Sequence, residues 1–139
     1  MHCSVFQNLT KPIVFTGSIL PLSQEGSDAL SNFEGSLMIS GSKIVPKIPE
    51  VCIYFDGILM RANRTIKVSN KVHHPFKSPK CRPFAFRRSD GTFDLHLEHI
   101  MRHEDHLPTI FCEKNIDCNI GILHLFPSIP TSQVLFLIS

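Results

Sequence analysis

An α/β fold organised around a parallel sheet is predicted by three successive stretches near the start of this sequence. Lys11-Pro12-Ile13-Val14-Phe15-Thr16-Gly17-Ser18 is a short, continuously apolar, β-branched run that closes in Thr-Gly. Glu50-Val51-Cys52-Ile53-Tyr54-Phe55 is a second apolar run, and between the two Leu30, Phe33, Leu37 and Met38 recur at helical spacing. Strands without an alternating polar face are buried on both sides, the situation of a parallel sheet. Strand, helix and strand within about 45 residues match the order and length of a βαβ crossover.

The elements follow in order. Residues 4–9 read as the last turn or two of a helix. Pro12 is tolerated as the first residue of the first strand, where no ladder donor is needed. Residues 19–26 hold a proline and polar side chains and read as a loop. Ser27-Asp28 then offers a capping side chain and an acid at the positive end of a helix dipole. The four apolar residues that follow give this helix one buried stripe, and Gly41 stands where it should stop. A polar, proline-containing link over residues 42–49 leads to the second strand. Asp56-Gly57 is a hairpin signal, so Ile58-Leu59-Met60-Arg61 continues the pairing. Residues 73–86 carry Pro75, Pro79 and Pro83 and read as an extended loop, while residues 93–106 fit either strand or helix. Residues 118–126 read as another buried strand. Pro127-Ser128-Ile129-Pro130 turns the chain, and Thr131 caps a final helix.

Composition narrows the function classes. Of 139 residues, 42% are hydrophobic and 19% charged, too apolar for a disordered chain. Lys and Arg number 14 against 12 Asp and Glu, a net charge of +2 with no basic stripe, which argues against a nucleic-acid partner. No apolar run reaches the ~20 residues of a membrane span, so no membrane partner is expected. Five cysteines at irregular spacing fit neither a disulfide framework nor a zinc site. Free thiols in a reducing compartment follow, and with no signal-peptide pattern the expected location is cytoplasmic. The sequons at Asn8 and Asn63 are then chance matches.

Four constellations carry possible chemistry. His96, His99, His103 and His106 would share one face of a helix and could ligate a metal. Their spacing is not His-Glu-x-x-His, and a solvated polar stretch is the simpler reading. Lys67, on an extended segment beyond a strand end, could lie in the crevice where open α/β sheets bind ligands and act on a proton there, although a lysine in a basic stretch is more often a solvated charge. Thr16-Gly17-Ser18 ends the first strand, where glycine lets backbone approach a ligand and Ser18 adds a hydroxyl; a tight turn is the simpler reading. Arg82, Arg87 and Arg88 near Phe84 and Phe86 suggest a nucleic-acid surface only weakly.

The residues themselves go further. Lys11-Pro12-Ile13-Val14-Phe15-Thr16-Gly17-Ser18, then Leu20-Pro21-Leu22 and Ser27-Asp28, resembles the strand, loop and helix of the bacterial-type L-asparaginases. So does the strand at residues 50–55 followed by Leu59-Met60-Arg61-Ala62-Asn63-Arg64-Thr65-Ile66-Lys67-Val68-Ser69. Phe76-Lys77-Ser78-Pro79 is similar to the family's Phe-x-Ser-Pro step, and Leu125-Phe126-Pro127-Ser128-Ile129 to its Leu-Phe-Pro-Gly-Ile turn. The resemblance is nearest to the cytoplasmic type I branch and the asparaginase domain of its larger animal relatives. It implies a partial three-layer α/β/α domain with a mostly parallel sheet. It also implies hydrolysis of L-asparagine to aspartate and ammonia by a threonine nucleophile, with no metal or organic cofactor and a homo-oligomeric assembly. The family's catalytic lysine maps onto Lys67, and a backbone position of its amide pocket onto Ser18.

The sequence also departs from the family. Neither Thr-Gly-Gly-Thr nor Gly-Thr-Asp-Thr, the family's two threonine motifs, occurs in it. Ala62 replaces the glycine of Arg-Gly-Asn-Arg, Lys80-Cys81 follows Ser-Pro where Asn is customary, and Ser128 stands for a glycine. The expectation is that residues 1–139 form an incomplete N-terminal domain, without its nucleophile-bearing strands and the C-terminal domain, that is inactive alone. An alternative is a non-catalytic module that pairs with a full-length asparaginase.

Overall fold

A computed structural model describes residues 6–7, 9–41, 48–69, 74–100, 111–112 and 122–138. Two short strands, β1 (Phe6–Gln7) and β2 (Ile13–Phe15), precede helix α1 (Ala29–Gly41). Next come β3 (Val51–Phe55), β4 (Ile58–Arg61), a 3-10 turn (Ala62–Arg64) and β5 (Ile66–Lys67). The chain continues through β6 (Phe76–Lys77), β7 (Ala85–Arg87), β8 (Phe93–Leu95), a 3-10 turn (Leu97–His99), β9 (Phe111–Cys112) and helix α2 (Thr131–Ile138). The main sheet has the order β2-β3-β4-β7-β8, while β1 pairs with β9 and β5 with β6.

The α/β class holds, with β2, α1 and β3 forming the expected crossover and β2 running parallel to β3. The sheet as a whole is mixed rather than mostly parallel, because β3–β4, β4–β7 and β7–β8 are antiparallel. For two of these pairs the reason is connection length. A parallel pair needs a crossover of a dozen or more residues, which the short links of β3–β4 (residues 56–57) and β7–β8 (residues 88–92) cannot supply. β4 and β7 are joined by residues 62–84, long enough for either direction, and pair antiparallel nonetheless. Asp56 and Gly57 have φ of 48° and 77°, the left-handed pair of a two-residue hairpin turn, and they reverse the chain directly.

Helix α1 runs to Gly41, the last described residue of this segment, but it buries the opposite face from the one expected. Leu30, Phe33, Leu37 and Met38 are 57%, 54%, 54% and 43% exposed, whereas Asn32, Gly35, Ser36 and Ile39 face the sheet. Close approach explains the choice. A Cβ placed on Gly35 would stand 2.2 Å from the Tyr54 hydroxyl, so a small residue there lets the helix settle onto β3. Cys52 and Tyr54 point toward α1 in a core with Ile39, Ile48, Leu59, Phe84 and Ala85. Val51, Ile53 and Phe55 point to the other face and pack with Leu9 and Ala62, under Ile13, Ile19 and Phe76. This alternation is the period-two rule of a strand buried on both sides.

Other expectations change. Phe6–Gln7 is strand, not helix, because it pairs with Phe111–Cys112; a two-strand ladder overrides a weak local preference. The proline-bearing stretch contains β6 and part of β7, with its prolines between the paired residues. Phe93–Leu95 resolves as strand and Leu97–His99 as a 3-10 turn. Of the strand expected at residues 118–126, residues 118–121 lie outside the described part. Residues 122–126 have no regular structure, and Ile122, Leu125 and Phe126 are exposed. An apolar run becomes a buried strand only against a matching surface, and the described sheet ends at β8. The final helix does begin at Thr131.

Arg61 braces the far end of the hairpin. Its guanidinium grips the buried Glu50 carboxylate in a two-point ion pair, donates to the His99 carbonyl at 2.6 Å, and lies over the Phe84 ring. A forked, desolvated arginine pair of this kind fixes geometry more than it adds stability.

Candidate active site

The loop that leaves β2 is held by the first turn of α1. Ser27 Oγ accepts the Ala29 N–H at 3.1 Å, as a capping hydroxyl should. The Asp28 carboxylate turns instead toward the loop and accepts the N–H groups of Ile19 (2.9 Å) and Leu20 (3.1 Å) and the Asn32 side-chain amide (3.0 Å). Partial burial raises its pKa, but the donors at Leu20, Ile19 and Asn32 outweigh that and hold it below the ordinary 3.8. Asn32, 1% exposed, also donates to the Gly17 carbonyl at 2.9 Å and accepts the Asp56 N–H at 2.9 Å.

These bonds fix one wall of a cavity of about 460 Å³ lined by Phe15, Thr16, Gly17, Ser18, Ile19, Ile53, Phe55, Lys67, Pro75 and Phe76. It opens beyond the carboxyl ends of the parallel strands β2 and β3, where open α/β sheets take ligands. Its floor is aromatic: the rings of Phe55 and Phe76 sit 5.2 Å apart. Lys67 is exposed on β5, opposite Phe76 on β6, and its Nζ lies 5.8 Å from the Phe76 ring centroid. Ser18 and Lys67, drawn from separate segments of the sequence, therefore line one cavity. A primary ammonium, two hydroxyl side chains and loop backbone against an apolar floor can receive a small polar ligand with a charged end. A Cβ on Gly17 would come no nearer than 3.9 Å to Phe55, so this glycine is not required for packing.

Sequence reasoning missed Asn32, Asp56, His74 and Phe76. The one available signal was Asp28 and Asn32 four apart on a helix, obscured by reading polar helix residues as solvent-facing. Of the histidines, His96 packs edge-on against Phe86, and His99 is exposed near Glu98. His103 and His106 lie outside the described residues, and among those described no set of three or more ligating side chains could hold a metal. Arg82, Arg87 and Arg88 face Glu98, Glu34 and Asp94, and Phe84 is fully buried. No helix among the described residues is long and apolar enough to cross a membrane.

The two glycine replacements behave differently. Ala62 lies in a 3-10 turn and is absent from the left-handed region, so it carries no backbone strain. Ser128, at φ 69°, occupies the conformation that favours glycine.

Fold and cavity together define an α/β domain with a ligand-sized pocket at a parallel-strand end. The family described as Asparaginase, N-terminal, matches residues 2–100, and the chain belongs to that family. It is 35% identical to the 60 kDa lysophospholipase of Mus musculus and 33% identical to the L-asparaginase of Dirofilaria immitis, in each case over 94% of this chain. The chain spans only 22% and 21% of the length of those relatives. L-asparaginase I from Vibrio cholerae shares its fold, with a TM-score of 0.75 at 24% identity over 97% of this chain and 39% of that one.

Proposed function

We propose that the cavity is part of an asparaginase site that takes L-asparagine, with Lys67 handling a proton at the side-chain amide and Ser18 lining the amide pocket. The observation that carries this reading is that both residues, matched to the family from separate motifs, border the same cavity. A cation beside the reacting amide stabilises developing negative charge and relays protons without metal. An amide is not cleaved without a nucleophile, and neither threonine motif occurs in these 139 residues. By themselves they bind rather than turn over the substrate, and the cytoplasm is the compartment we assign.

The test is ammonia release from L-asparagine by the purified chain beside its Lys67→Ala variant. Equal, background-level release is expected. Clear turnover that depends on Lys67 would overturn the inactive reading.

A second reading, a module that assembles with an intact asparaginase, is favoured by the exposed apolar stripe of Leu30, Phe33, Leu37 and Met38. Co-purification with a full-length L-asparaginase, lost on Phe33→Glu, would support it.

A further inference from the structure

We propose that Asn32 is a positioning residue that holds both walls of the cavity at one fixed separation. The inference rests on the reading of this cavity as an L-asparagine pocket. Asn32 reaches it only through backbone, being on α1 behind the strand-end loop.

A buried carboxamide costs free energy unless its donors and acceptors are used. Asn32 uses both N–H donors, one on the Gly17 carbonyl and one on Asp28 Oδ2. Its Oδ1 accepts the Asp56 N–H, and its backbone carbonyl accepts the Thr16 hydroxyl at 3.5 Å. Thr16 and Gly17 belong to the first wall. Asp56 leads to the second: its carboxylate accepts the His74 N–H at 3.1 Å and meets His74 Nδ1 at 2.6 Å. His74 is held at φ 61°, directly before Pro75 and Phe76, which line the cavity beside Lys67.

One side chain thus links the loop carrying Ser18 to the turn that anchors the Lys67 arm. With the Gly17 carbonyl drawn inward, Ser18 faces the cavity, and neither its N–H nor its hydroxyl has a partner among the described residues. A hydrophobic residue could fill the same volume against the sheet. It could not bond Gly17 and Asp56 together, so the role is one of geometry rather than of packing.

The test compares the 139-residue chain with Asn32→Leu and Asn32→Asp, using L-asparagine as the probe in an NMR titration with amide exchange recorded in parallel. Asn32→Leu should weaken binding by roughly tenfold or more, the loss of about one good hydrogen bond's discrimination. Amides of residues 19, 20 and 56, whose N–H groups are bonded, should lose protection while those of β3 keep it. Asn32→Asp sets a second carboxylate against Asp28. The two repel at neutral pH; in acid they share one proton, which removes the repulsion and restores the bond to Asp28 but not the one to Gly17. Binding by this variant relative to wild type should therefore recover in part as the pH falls from about 7 to about 5. Asp56 and His74 also face this end of the helix and are present in both proteins.

Unchanged protection at residues 19, 20 and 56 in a folded Asn32→Leu chain overturns the proposal, as does a pH-independent deficit in Asn32→Asp. If Asn32→Leu fails to fold, the Asn32→Asp ratio decides alone. Wild-type chain that shows no binding while the variants still lose loop protection rejects the asparagine pocket and leaves Asn32 as the link between the walls.

Discussion

On one side of the cavity the backbone of residues 17–20 is bonded to a buried amide and a carboxylate; on the other, Lys67 rides on a pair of two-residue strands at the surface. The first wall takes its rigidity from α1, which is pressed onto β3 through Gly35. The second is tied by the Val68 N–H to the Pro75 carbonyl at 2.8 Å, by the tilted contact of the Phe76 and Phe55 rings, and by the Asp56–His74 contact. The contrast teaches that the wall carrying Ser18 is set by the core, whereas the lysine is placed by a light, solvent-facing arm. Elements with few buried contacts open at low free-energy cost, so the arm is the part that other segments or a ligand can order.

The most damaging way to break the contrast is Gly35→Ala. Its methyl group would collide with the Tyr54 ring, and the buried ring has nowhere to go. The expected loss is about 3 kcal/mol in denaturant unfolding, with the first wall displaced as the helix lifts. Phe76→Ala should cost less, about 1–2 kcal/mol, because the ring is half-buried, and it should loosen the Lys67 arm without touching residues 17–20. Amide exchange on the two segments distinguishes these outcomes.

Acid sharpens the contrast from the other side. The folded-state pKa of Asp28 is depressed, so its stabilising contribution is complete above the ordinary 3.8 and is lost as pH falls through that value and the lower folded one. Residues 19 and 20 should therefore lose exchange protection below about pH 4 in wild type, and this step should vanish in Asp28→Asn. The smallest effect belongs to Lys67→Ala. An exposed lysine removed from the arm should change stability by no more than about 0.5 kcal/mol, while removing the cavity's cation.

Much of this was legible in the order of residues. The apolar runs at residues 13–15 and 51–55 and the Asp56-Gly57 turn specify strands and hairpin through local chemistry. Lys67 and Ser18 stood out as candidates from their places beyond strand ends, and the resemblance of their flanking motifs to the asparaginases set them above the simpler readings. The buried face of α1 was not legible. Its apolar stripe gave one answer, and the contact between Gly35 and Tyr54 gave the opposite one.

The sequence by itself determined which segments are strand, turn and helix near the parallel pair, because those choices depend on side-chain sterics within a few residues. Only the tertiary structure decided which helix face is buried, that the sheet is mixed, and that Asn32 bonds to both Gly17 and Asp56. Those outcomes depend on how closely distant segments approach, and a carboxamide shows no preference for partners until folding brings them within 3 Å.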